Sequence, residues 1–272
     1  MVETIRPGAS SPDARAALFD FDGTLSLIRS GWLEIMLGMI VETLIELRTG
    51  ETEEQLHAAA FDFVWPLTGQ DTLYQMRAFA DAIAARGGTA LDPRIYKQRF
   101  LDRLFEVSEE RTAELREGRC APDQYLVPGA RAMLEELRDR GLTLYLASGT
   151  DHPRLRQEAI LLDIAHYFEG GIYGALPDPA AFSKRRLIER INSRDGMHAS
   201  RLIGFGDGPI EIEDLRRAGG IAVGLATDEP ACIAPSPFKR RSLIASGADY
   251  IIPNYLCRHA LVPMLFAQYE PL

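Results

Sequence analysis

Six residues have side chains that could do chemistry together. Asp20 and Asp22 stand in Asp20-Phe21-Asp22-Gly23-Thr24, directly after the apolar run Ala16-Ala17-Leu18-Phe19. Ser148 ends a second apolar run, 142–147, and is followed by Gly149-Thr150. Asp207 ends a third, 202–205, in Gly206-Asp207-Gly208, with Glu211 four positions further on. Lys184 opens a helical pattern between the second and third runs. Carboxylates can act as nucleophiles, carry protons and ligate hard cations; a hydroxyl and an ammonium can hold anionic oxygens. Taken singly, each has a plainer role: an acid after a strand shapes a turn or caps a helix, and a helical lysine is solvated. Three polar strand ends on one sheet are harder to assign to turns, because open parallel sheets bind ligands outside the carboxyl ends of their strands.

The elements that must position these groups follow from patterning. The short run 16–19 reads as a buried strand. From about Leu27 to Gly118 the pattern is helical, with helices expected over 31–48, 52–65, 71–86 and 93–117, the last started by Asp92-Pro93. Within 31–48, Glu34, Glu42 and Glu46 form one stripe, and Trp32, Ile35, Met36, Met39, Thr43 and Leu47 lie opposite, as in an amphipathic packed helix. After Pro128-Gly129 the rhythm changes to helix 130–140, strand 142–147, helix 153–162, the segment 168–174, helix 183–193, strand 202–205, helix 210–218, strand 221–225, helix 238–246 and strand 249–252. Short apolar strands alternating with helices imply a parallel sheet covered on both faces, a three-layer Rossmann-like α/β core. The helical block is too long for a crossover, so it reads as an inserted all-helical domain. The expected division is a tail over 1–12, a core of 13–27 and 126–272, and an insert over 28–125.

Composition narrows the function classes. The 272 residues are 46% hydrophobic and 25% charged, enough apolar material to exclude disorder as the main state. A net charge of −9 argues against broad nucleic-acid binding. No uncharged stretch is long enough for a membrane span, and the first residues lack the apolar core of a signal peptide. Cys120, Cys232 and Cys257 make neither a disulfide framework nor a zinc spacing, which points to a reducing, cytoplasmic setting.

The run Asp20-Phe21-Asp22-Gly23-Thr24-Leu25 resembles the first motif of the haloacid dehalogenase-like superfamily. Ser148 resembles the second motif by its place at a strand end, Lys184 the third, and Gly206-Asp207-Gly208-Pro209-Ile210-Glu211 the fourth. The resemblance spans the whole chain except the tail. It implies a Mg²⁺-dependent phosphatase of a small-molecule phosphate monoester, working through an aspartyl-phosphate. Asp20 would be the nucleophile and Asp22 the proton donor and later the base. The metal would be held by the Asp20 carboxylate, the Asp22 backbone carbonyl and Asp207, with Glu211 acting on its waters. Ser148 and the Gly149 N–H would bind phosphate oxygens, and Lys184 would neutralise charge on Asp20 and the phosphoryl group.

Asp22 also separates branches of the family, because the dehalogenase and phosphonatase branches lack an acid at that position. The helical insert resembles the C1-type cap of phosphoglycolate phosphatase-like members, which closes over small substrates. Candidate substrate contacts are Arg29 and Trp32, just beyond the first motif, and Gln70 in the turn Thr68-Gly69-Gln70. Two other readings stay open at this level: a sugar phosphomutase on the same scaffold, and a non-hydrolytic phospho-receiver or regulatory binding protein. The second acid and the large insert speak against the receiver.

Overall fold

The computed structural model describes residues 1–68, 70–176, 183–193 and 201–268. Seven strands form one sheet: β1 (Glu3–Thr4), β2 (Ala16–Phe19), β3 (Thr143–Asp151), β4 (Gly171–Ala175), β5 (Leu202–Gly206), β6 (Ile221–Leu225) and β7 (Tyr250–Ile252). Their spatial order is β1-β7-β6-β5-β2-β3-β4. All neighbours pair in parallel except β1, which runs antiparallel to β7. The first chemistry-bearing strand, β2, is therefore central, between β3 and β5.

Alternation along the strands sends side chains to two separate cores. Ala17, Phe19, Leu144, Leu146, Ile203 and Phe205 pack on the face covered by helices α5 (Ala130–Asp139), α6 (His152–Leu161) and α10 (Arg258–Leu265). Ala16, Leu18, Tyr145, Ala147 and Leu202 pack on the other face, against α7 (Lys184–Ser193), α8 (Pro209–Arg217) and α9 (Pro237–Ala245). The Phe19 and Phe205 rings stack with centroids 4.5 Å apart, joining neighbouring strands directly beneath the polar ends.

Helices α1 (Trp32–Ile45), α2 (Glu53–Val64), α3 (Thr72–Ala85) and α4 (Pro93–Arg116) share a third apolar cluster. Their starts are sequence-encoded. Thr52 makes a capping box with Gln55, and Asp71 and Asp92 accept from the backbone N–H groups of Leu73 and Arg94. The buried face of α1 is broader than its stripe of acids suggests. Leu37, Ile40, Val41 and Leu44 are buried along with Met36 and Met39, because α2 and α4 both pack on it.

Three features depart from the patterning. The first residues are not a loose tail: β1 covers the β7 edge, which would otherwise be exposed. Arg6 Nε donates to Asp249 Oδ1 at 2.6 Å, Arg240 Nε donates to Glu3 Oε2 at 2.7 Å, and the Tyr250 hydroxyl donates to the Ala9 carbonyl. A two-residue strand leaves no periodicity to detect. The helix α10 is also unannounced, because Pro263 interrupts its pattern. Finally, β3 runs on through Asp151, with its register against β4 shifting between Ala147 and Asp151, so Ser148, Gly149 and Thr150 belong to an irregular strand end.

Asp249 is the anchor of this edge. It is fully buried, and its Oδ2 accepts from the Ala222 N–H at 2.8 Å while Oδ1 takes Arg6. Asp249→Ala orphans a buried amide and should cost about 2–3 kcal/mol. That corresponds to roughly 5–10 °C in Tm for a domain of this size. It should also expose 1–12 to limited proteolysis. An unchanged unfolding midpoint and an intact N-terminus would show that the edge is held by something else.

Candidate active site

The strand ends converge as the topology requires. Asp20 follows β2 and is buried; its Oδ1 accepts from Lys184 Nζ at 2.5 Å. Lys184 is the first residue of α7 and is itself buried, while its neighbour Arg185 turns outward to Glu189. Of the three consecutive cations at 184–186, the structure aims Lys184 at the site. Glu211, on the first turn of α8, places Oε2 3.5 Å from the same Lys184 Nζ. Its Oε1 accepts from the Gly208 N–H at 2.7 Å, so one oxygen caps the helix and the other faces the cluster without a hydrogen-bond partner.

Asp207 completes the group. Carboxylate oxygens of Asp20, Asp207 and Glu211 lie within 4.8 Å of one another, all three residues being buried. Gly23 makes room for them. Its φ is +71°, and a Cβ there would meet Asp207 Oδ2 at 2.3 Å. Sequence patterning did not find Lys239, on α9, whose Nζ donates to Asp207 Oδ2 at 2.8 Å and to Glu229 Oε1 at 2.7 Å. A lysine two residues inside a helix carries no local signal of such a role.

The cluster thus holds four carboxylates, Asp20, Asp207, Glu211 and Glu229, against two ammoniums. The excess of two negative charges matches a divalent cation, and an all-oxygen donor set suits a hard one. Burial pushes the Asp20 carboxyl well above the usual range despite Lys184, with Glu211 and Asp207 adding repulsion. Asp207 is pushed up to about 6, chiefly by burial; Lys239 opposes this, and Glu211 and Glu229 reinforce it. Burial works against the Lys184 ammonium, but Asp20 and Glu211 outweigh it and hold its pKa above the ordinary lysine value. Bringing a cation among these acids would relieve the repulsion that raises them.

Asp22 sits differently. It is partly exposed, and its Oδ2 accepts from Arg29 Nη1 and from the Thr150 hydroxyl, each at 2.9 Å. The other oxygen, Oδ1, is buried without a hydrogen-bond partner. Arg29 also contacts Thr150 Oγ1, and its Nη2 donates to Glu158 Oε1 at 2.8 Å. Glu158 is buried on α6, and burial raises its pKa, opposed by Arg29 and assisted by Asp22. Sequence reasoning missed Glu158; the signal for it is an acid on the apolar face of α6 beside Leu155 and Ala159, which needs a partner. Arg29 lines the cleft, as expected of a substrate contact, but its guanidinium is already engaged by Asp22 and Glu158.

Ser148 is buried, and its Oγ accepts from the Thr150 N–H at 3.1 Å, which leaves its own proton to donate. At Gly149, a Cβ would lie 2.4 Å from the Gln70 carbonyl oxygen, so the turn before α3 rests directly on the end of β3. Trp32 and Gln70 line the same cleft as Asp20, Asp22, Ser148, Gly149 and Asp207. Gly69, between Thr68 and Gln70, lies outside the described residues. The three cysteines are free, and among the described residues no helix is long and apolar enough to cross a membrane.

Known proteins resemble this chain in sequence and in fold. A family model described as haloacid dehalogenase-like hydrolase matches residues 14–219. The phosphoglycolate phosphatase of Synechococcus elongatus is 27% identical over 213 residues, which span 72% of this chain and 92% of that protein. Among solved structures, a predicted phosphoglycolate phosphatase from Haemophilus somnus superposes with a TM-score of 0.57 at 16% identity, covering 92% of this chain and 98% of that one. A HAD family hydrolase from Deinococcus radiodurans, solved with bound phosphate and sodium, gives 0.56 at 17% identity over 95% and 100% of the two chains. At these identities the structural matches speak for the fold, whereas the family model covers most of the chain, including all the strand-end acids. The chain belongs to the haloacid dehalogenase-like hydrolases.

Proposed function

We propose that this chain is a Mg²⁺-dependent phosphatase that hydrolyses a small phosphate monoester through an aspartyl-phosphate on Asp20. The observation that carries the reading is the state of the second carboxylate. Asp22 is fixed through one oxygen by Arg29 and Thr150, while its other oxygen is left unpaired. A carboxyl so anchored is placed to protonate a leaving alkoxide and then to take a proton from water. Relatives named as phosphoglycolate phosphatases, in sequence and in fold, support the same class.

The remaining residues divide the work. Asp20 attacks phosphorus in line, and Lys184 neutralises the charge building on it and on the phosphoryl oxygens. The Ser148 hydroxyl and the Gly149 N–H bind phosphate oxygens at the end of β3. The Asp20 carboxylate, the Asp22 carbonyl and Asp207 would hold Mg²⁺, with Glu211 beside them, and the cation supplies the charge neutralisation that lets a carboxylate approach a phosphate dianion. Lys239 and Glu229 orient Asp207 from the far side. Residues 28–125 act as a cap over the cleft, hinged at 27–30, where Arg111 of α4 donates to the carbonyls of Leu27, Ile28 and Ser30.

Asp20→Asn and Asp22→Asn should each leave the fold intact. The first should abolish turnover, and the second should lower it by about 10²–10⁴-fold. Because Arg29 holds Asp22, Arg29→Met should lower turnover on every substrate rather than change their ranking. Near-normal rates in purified, folded Asp20→Asn protein would sink the covalent mechanism.

EDTA should stop activity and Mg²⁺ restore it, whereas Ca²⁺, with its looser shell, should inhibit. Binding is also readable without turnover. Mg²⁺ at about 100 times its Kd should stabilise the protein by about 2.7 kcal/mol, seen as a rise in Tm. Burial, with Glu211 and Glu229 nearby, pushes the Asp207 carboxyl up to about 6, and a protonated carboxyl ligates poorly. The Mg²⁺-induced rise should therefore be larger at pH 7.5 than at pH 5.5 and fade as pH falls through about 6. A rise independent of pH between 5 and 8, or one that survives in Asp207→Asn, would remove Asp207 from the metal site.

A further inference from the structure

The cleft above the strand ends has two unlike parts. Its floor is the acid cluster and the end of β3. Its wall is largely apolar: Trp32 and Met36, one turn apart on α1, face Phe100, Leu101, Leu104 and Phe105 of α4. Phe105 is 44% exposed and Trp32 and Leu101 are half-buried, so these three present open surface in the mouth of the cleft, with Met36, Phe100 and Leu104 buried behind them. The space within its walls is about 110 Å³ and opens to solvent at its mouth.

The charges of the wall are already matched. Lys97 lies 3.3 Å from Asp71 and 3.2 Å from Asp151. Arg29 is held by Asp22 and Glu158, and Arg154 donates to Glu158 at 3.0 Å with its guanidinium lying over the Phe105 ring. Among the described residues, the three cations lining the cleft therefore face four carboxylates: Asp22, Asp71, Asp151 and Glu158. A substrate with a second anionic group would meet net negative charge there and would have to break an existing pair to find a cation.

We propose that the alcohol esterified to the phosphate is uncharged and largely apolar, an alkyl or arylalkyl group laid along α1 and α4. The proposal rests on the phosphatase reading and narrows its substrate. The accessible apolar strip of α4 from Leu101 to Phe105 is roughly 6 Å long at 1.5 Å per residue, about the length of a six-carbon chain or a ring with a short tether. A compact carboxylated ester such as phosphoglycolate fits neither the apolar wall nor its charge.

The test is kcat/KM of the full-length chain with Mg²⁺ on ethyl, butyl, hexyl and 4-phenylbutyl phosphate and on 2-phosphoglycolate. The primary alkyl esters share nearly the same leaving-group basicity, so their trend reports the wall. The expected result is a rise of about three- to fourfold per methylene up to hexyl, from about 0.8 kcal/mol per buried CH₂. 2-Phosphoglycolate should fall below butyl phosphate by about tenfold or more. Hexylphosphonate should bind the wild-type chain more tightly than phosphonoacetate by calorimetry, independently of turnover. Phe105→Ser, at a half-open position, should flatten the alkyl series. A flat series in an active enzyme, preference for 2-phosphoglycolate, or an unchanged slope in folded Phe105→Ser would overturn the substrate class and leave the phosphatase standing. No turnover of any ester with Mg²⁺ present would overturn both.

Discussion

Everything in this molecule that bears on chemistry depends on gathering buried carboxylates at the carboxyl edge of a parallel sheet. Asp20, Asp207 and Glu211 are all buried within ligand distance of one another, and unpaired they would repel and drive each other toward protonation. The compensation comes from the other side of the sheet's covering layer. Lys184 at the start of α7 takes Asp20, and Lys239 on α9 takes Asp207 and Glu229. The helices on that face therefore do more than cover Leu18 and Tyr145; they deliver the two ammoniums. The charge left over is what a divalent cation would balance, so the site is built as a socket whose electrostatics are complete only when filled.

The same constraint explains which parts were legible in the sequence. Strands that end in acids, such as 16–19 and 202–206, were readable because a short apolar run must stop where the polar site begins. The helices of the insert were readable from their punctuation to within a few residues, Asp92-Pro93 being the start read from its cap, while the Thr52 capping box was seen only in the structure. Lys184 was picked out from Arg185 and Arg186 by its register with the third motif, and packing buries it while Arg185 turns outward. Lys239 and Glu229 were not readable at all. Their roles arise because α9, packed on β6 and β7, brings Lys239 to Asp207 and Glu229, a tertiary fact without a local pattern. The antiparallel β1 escaped for a different reason: two residues paired to an edge make too little periodicity, although Glu3 and Arg6 each find a partner across it.

Asp22 links chemistry to the insert. Its anchoring cation, Arg29, lies in the short connection that leaves the core, two residues before the glycine that precedes α1. The same connection has its carbonyls tied to Arg111 on α4, and Glu158 on α6 holds the other end of the guanidinium. The geometry of the second carboxylate is thus set jointly by the core and by the first and last helices of the insert. Movement of the insert about 27–30 would carry Arg29 with it, so proton transfer and closure of the cleft would not be separable events.

That coupling also constrains what the cleft can recognise. A wall residue that must move with the hinge is a poor place for an unpaired charge, because each opening would expose it to water and each closing would desolvate it again. Lys97 keeps Asp71 within the insert and Arg154 keeps Glu158 within the core, whereas Lys97 to Asp151 and Arg29 to Glu158 bridge the two and hold the insert against the core. Apolar side chains carry no such penalty, and the partly open Trp32 and Phe105 line the same cleft. Fixed polar chemistry on the floor and adaptable apolar contact on the wall is the division of labour expected where one reaction mechanism must serve an interchangeable leaving group.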